Sequence, residues 1–291
     1  MVGSSKAGLL LFGALAAATG AAAFPAGTGI AEADAMAVKL APHRAVYDLR
    51  LAQTRQSRGA EAVTGRILYD FSGSSCEGYA LQFRQVSSLD NGGGRPSVSD
   101  LRSTTWEDGK AGSFRFNLQN TLNEKSVESV DGMAERGAGE VAVNLTKPGQ
   151  KKFKMDAGLV FPSEHMRLII AAGRAGKTVL ELPVYDGSED GEKVFNTLTV
   201  IGRPIPPDQR VPTDAAAGKA ALAGLTRWPV TISYYEKDEK GGKGGEQQPV
   251  YSISFELYEN GISRALLLDY NDFVVRGEMS LLEIKDAKPC Q

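Results

Sequence analysis

Apolar and polar residues alternate with a period of two along most of the chain. His43 to Gln53 places Ala45, Tyr47, Leu49 and Leu51 on one side and Arg44, Asp48 and Arg50 on the other, the pattern of a strand with one buried face. Ala62 to Phe71 repeats it with Val63, Ile67 and Tyr69. Further strands are predicted over Tyr79 to Ser88, Ser97 to Glu107, Ser113 to Thr121, Lys125 to Glu135 and Glu140 to Leu145. Turn-forming runs separate them: Asp90-Asn91-Gly92-Gly93-Gly94, Asp108-Gly109 and Gly137-Ala138-Gly139. The first half therefore reads as an antiparallel meander. The pattern resumes over Val179 to Tyr185, Lys193 to Arg203, Val230 to Glu236, Val250 to Tyr258, Ile262 to Tyr270 and Phe273 to Ile284. The last four are consecutive hairpins, with Asn260-Gly261 the strongest turn signal. Glu236 to Gln248 predicts a polar, glycine-rich hairpin loop. Pro204 to Pro212 and Ala215 to Leu225 predict a longer connection holding a short helix, and Lys151-Lys152-Phe153-Lys154 a solvated loop. The fold class is mainly β and antiparallel, with one main helix.

That helix opens at Pro162-Ser163-Glu164, with Ser163 as N-cap and Glu164 suited to the positive end of the dipole. Met166, Ile169 and Ile170 follow on one broad apolar face, and the helix ends at Gly173 or Gly176. The overlapping stretch AAGRAGKT, Ala171 to Thr178, has the spacing of a relaxed phosphate-binding loop. Its context runs the wrong way. A phosphate cradle follows a strand and opens a helix, whereas here the glycines close a helix and a strand follows. A helix C-terminus carries partial negative charge and repels phosphate, so nucleotide binding is excluded.

At the N-terminus, one positive charge precedes an uncharged Leu/Ala/Gly run from Ala7 to Ala23. Small-x-small sites follow, ending at Ala33, Ala35 and Ala37. Residues 1–35 read as a secretory signal peptide with several cleavage sites, the alternative being a short uncleaved anchor. No later segment could span a bilayer, so residues 36–291 form one exported β domain, within the size of a large all-β unit. Export gives weight to the two cysteines, Cys76 and Cys290. In an oxidising compartment an even count reads as a disulfide, either a staple or a redox switch.

Charge is balanced, 33 Lys+Arg against 35 Asp+Glu, which leaves no electrostatic case for nucleic acid. The two histidines, His43 and His165, stand in no zinc or triad spacing and read as surface or capping residues. No catalytic residue, metal ligand or cofactor is marked. The sequence reads as a binding or structural protein before an enzyme.

Five segments together carry a resemblance: PHRAVYDLRL, CEGYALQFRQ around Cys76, FPSEHM, the hairpin YSISFELYENGISRALLLDY and a terminal Cys. The chain resembles the periplasmic cell-envelope integrity protein B family of alphaproteobacteria from about Ala41 to Cys290. The resemblance implies a β-spiral, a strongly curved antiparallel sheet close to an open barrel with a helix against it, comparable to the lipoprotein carriers LolA and LolB. It implies a disulfide between Cys76 and Cys290, a role in maintaining the envelope, and a periplasmic partner with tetratricopeptide repeats. On that fold, a helix bearing Met166, Ile169 and Ile170 beside a concave apolar face would suit a lipid, lipoprotein or peptide. An adaptor using sheet edges or the convex face is the alternative, and an envelope hydrolase working through carboxylates a third.

Overall fold

The structure is a computed structural model that describes residues 32–55, 60–209, 212–214, 216, 220–236 and 247–286. The predicted signal sequence up to residue 31, most of the Glu236–Gln248 loop and Cys290 lie outside the described residues.

The strands are β1 (His43–Thr54), β2 (Ala62–Ser74), β3 (Gly78–Asp90), β4 (Ser97–Glu107), β5 (Ser113–Leu122), β6 (Lys125–Arg136), β7 (Glu140–Lys147) and β8 (Lys151–Asp156), followed by β9 (Val179–Val184), β10 (Phe195–Ile201), β11 (Arg227–Glu236), β12 (Tyr251–Tyr258), β13 (Ser263–Asp269) and β14 (Phe273–Ile284). They form one 14-stranded sheet in the order β8-β7-β6-β5-β4-β3-β2-β1-β14-β13-β12-β11-β10-β9. Each half is a meander of sequential neighbours, and antiparallel pairing of β1 with β14 joins the halves. The edges, β8 and β9, are consecutive in sequence. The chain passes between them through helix α2 (Pro162–Arg174), and Val160 makes a parallel bridge to Val184. The result is the curved, open-barrel-like β-spiral.

Alternation sets which face is inward. In β10, Phe195, Thr197, Thr199 and Ile201 are buried while Asn196 and Val200 are exposed. The inner face holds two apolar cores. The larger gathers β1, β2, β11–β14 and α2; the smaller gathers Phe114, Phe116, Val130, Val143, Phe161 and Tyr185. In the smaller, ring centroids of Phe114 and Phe161 lie 5.2 Å apart, and Tyr185 meets Phe116 edge-on at 5.6 Å. Each such buried ring contributes about 2–3 kcal/mol of burial and about 0.5–1.5 kcal/mol per pair beyond it. Buried polar residues also line this part of the sheet, Ser87, Ser99 and Asn120, with Ser99 Oγ donating to Asn120 Oδ1.

Four expectations are corrected. Lys151-Lys152-Phe153-Lys154 is an edge strand, with Phe153 packed against the smaller core and the lysines exposed. Lysines on an edge discourage further strand pairing. The described part of Ala215–Leu225 is turn, held by Ala223 N–H to Ala220 O and Leu225 N–H to Leu222 O. Ser163 is not the N-cap: Phe161 is, with Pro162 at the first helical position. The histidines are buried, not at the surface. A short helix α1 (Glu32–Met36) precedes β1 and packs on α2.

Candidate functional site

Helix α2 is enclosed on nearly every side. Ile169 and Ile170 are 1 and 0 % exposed and belong to the larger core, so both close the fold; Met166 retains partial access. Gly173 is on the helix because a side chain there would press on the Trp228 indole at 3.0 Å. The helix ends in a Schellman arrangement, Lys177 N–H to Ala172 O and Gly176 N–H to Gly173 O, with Gly176 at φ +70°. The AAGRAGKT glycines thus terminate a helix, and β9 follows.

The start of α2 is anchored from a distance. Glu107, at the end of β4 and 1 % exposed, accepts the Ser163 and Glu164 N–H groups at 2.6 and 2.8 Å. Burial pushes its carboxyl up to about 7 against the opposing pull of those bonds and of Arg167. Arg136 of β6 binds Glu164 at 2.7 Å, and Glu164 reaches back to the Phe161 N–H. His165 is buried, and desolvation lowers its pKa to about 4. His43 stacks on Tyr69 with Nδ1 2.7 Å from the Ala41 carbonyl. Sequence patterns missed Glu107 altogether. Arg167 did leave a signal, a lone cation in the apolar run HMRLIIAAG.

Beyond α2, the concave face has half-buried inward residues: apolar Leu81, Phe83, Leu180, Ile253 and Leu268 beside the larger core, with Ser103 and Thr105 opposite Phe83 and Leu81 on β4. Between Leu49, Val63, Leu89 and Phe273 is a void of about 10 Å³, room for a single water. The convex face carries a row of Val179, Val200, Thr231, Ser254 and Leu267 across β9–β13. Beside it, an open groove of about 330 Å³ is lined by Val200, Pro229, Ser254 and Glu256.

Cys76 occupies the exposed turn between β2 and β3, its N–H donating to Ser74 Oγ. That turn packs against Gly109, where an added Cβ would stand 1.9 Å from the Ser75 carbonyl oxygen. No free cysteine occurs among the described residues. Nor is there among them a group of three or more His, Cys, Asp or Glu able to hold a metal, or a helix long and apolar enough to cross a membrane.

The EipB-like family model matches residues 34–286, from α1 through the last strand. The chain is a member of the EipB-like family. Cell envelope integrity protein EipB of Brucella abortus (strain 2308) is 38% identical over 272 residues, 93% of this chain and 94% of that relative. The crystal structure of a β-barrel-like protein of domain of unknown function DUF1849 from Brucella abortus superposes with a TM-score of 0.77. It is 36% identical and covers 86% of this chain and 100% of that one. EipB-like membership thus extends over both halves of the spiral and the β1–β14 junction.

Proposed function

We propose that this protein is a non-enzymatic factor that maintains the integrity of the cell envelope from the periplasm, holding a lipid, lipoprotein or peptide against the concave face of its spiral. The near-full-length relation to a protein named for cell envelope integrity carries the envelope role. The ligand reading is supported by the inward side chains that remain half-buried, Leu81, Phe83, Leu180, Ile253 and Leu268, with hydroxyls of Ser103 and Thr105 nearby. A face that is apolar, partly wet and bordered by hydrogen-bonding groups suits a ligand with an apolar body. Met166 is the member of the helix trio with access to contribute.

The non-catalytic reading is supported by what occupies Glu107, the wholly buried carboxylate whose pKa stands near 7: both of its oxygens are engaged by helix N–H groups. A disulfide between Cys76 and Cys290 would tie the C-terminal tail to the β2–β3 turn and suits an oxidising compartment. A second reading, an adaptor for a tetratricopeptide-repeat protein without a small ligand, is favoured by the exposed convex row Val179, Val200 and Leu267.

Native mass spectrometry of the protein purified gently from the periplasm, before and after solvent extraction, tests the reading. A bound mass that disappears on extraction is expected. A bare polypeptide before extraction would reject the carrier and favour the adaptor.

A further inference from the structure

Among the described residues, Arg167 is the largest side chain that is fully buried, 1 % exposed. It projects from α2 toward the β4–β5 turn, where Nη1 donates to the Gly109 carbonyl at 2.8 Å and to Met36 Sδ at 3.2 Å. Its guanidinium carbon is 5.8 Å from the centre of the Tyr79 ring. Nε and Nη2 have no partner among the described residues. Glu107, the carboxylate whose charge acts on it, is already taken by two backbone N–H groups. A buried cation carries a desolvation cost that only pairing offsets, and a thioether is a weak acceptor for it.

The cover over this group is α1. Ala35 and Val38, at 4 and 0 % exposure, join the larger core with α2, and Met36 supplies the thioether. The first part of α1, up to Ala35, belongs to the segment read from the sequence as the end of the leader, and Met36 and Val38 follow it. Cleavage after Ala33 leaves three residues of α1, after Ala35 one and after Ala37 none. None of these remnants closes a helical turn with its own hydrogen bonds. Each cleavage site therefore dismantles α1.

We propose that α1 is a plug removed by export processing, and that the space it leaves over Arg167 binds the anionic head of an amphiphile, a fatty-acid carboxylate or a lipid phosphate. The proposal rests on the exported, ligand-binding reading above and assigns the ligand's charge to a residue. A guanidinium fork matches both oxyanions, and the free Nε and Nη2 supply the donors. The apolar surface beneath Ala35 takes the first carbons of the tail.

The test compares the protein purified from the periplasm, its N-terminus read from intact mass, with a chain beginning at Ile30 that keeps α1. The probe is the fluorescent fatty acid cis-parinaric acid, competed with decanoate or a short-chain phosphatidylglycerol to separate carboxylate from phosphate. The processed form is expected to bind at least tenfold more tightly. In that form Arg167→Met and Arg167→Lys should each lose about tenfold, with Arg102→Met, an exposed control, unchanged. Equal binding by both forms, or full affinity in folded Arg167 variants, overturns the proposal, as does a mature N-terminus before Glu32. An unprocessed mass overturns the export reading instead, and no probe binding by any form overturns the lipid reading.

Discussion

Glu107 and His165 meet at the start of one helix and respond to pH with opposite signs. Burial raises the folded pKa of Glu107 to about 7 from the ordinary 4.5 of a glutamate. Its contribution to stability is present below pH 4.5 and is lost as pH rises through 7. His165 has a folded pKa of about 4 against 6.5, so its contribution is present above 6.5 and is lost as pH falls toward 4. Each shift corresponds to about 3 kcal/mol across its window. Because every other group is shared, comparing variants with wild type isolates each residue. Between pH 7.5 and 4.5, His165→Asn should improve relative to wild type by about 3 kcal/mol, and Glu107→Gln should decline by a similar amount. Urea unfolding at the two pH values measures both, and pH-independent differences would refute the assignment.

At the scale of elements, α2 is positioned by its ends. Gly176 lies at φ +70° with open space where a Cβ would go, so Gly176→Ala meets backbone strain alone, about 1 kcal/mol. Gly109→Ala meets the Ser75 carbonyl at 1.9 Å and displaces the turn whose own carbonyl holds Arg167. It should destabilise by more than about 2 kcal/mol, in the range of overpacked sites. Thermal melts of the two variants rank them, and a Gly109→Ala protein as stable as Gly176→Ala would show that the β2–β3 and β4–β5 turns move independently.

For the whole molecule, the sheet joins its first and last strands side by side and bridges its two edges with a helix. Long-range pairing of this kind leaves β14, the last strand, near the centre of the sheet order. A disulfide from Cys76 to Cys290 would close a loop of about 215 residues, worth at most roughly 5 kcal/mol through the unfolded chain. Cys76→Ser or Cys290→Ser should lower Tm and raise protease sensitivity while the protein stays folded. Oxidised and reduced protein of equal Tm would remove the staple.

Every strand but β8, the long helix and the hairpin turns could be read from the order of residues. These rest on local periodicity and on turn residues such as Asn260-Gly261, which act within a few positions of themselves. The same local pattern misjudged β8, whose Lys151, Lys152 and Lys154 hide a strand alternation, and the α2 N-cap, because Glu107 arrives from a residue 56 positions from Ser163. Folding in three dimensions is what makes Ile169 and Ile170 close a core, buries both histidines and leaves Arg167 with free donors beneath α1. Those outcomes depend on which distant strand or helix covers a side chain, and burial, pKa and pairing are properties of that cover, which local pattern does not encode.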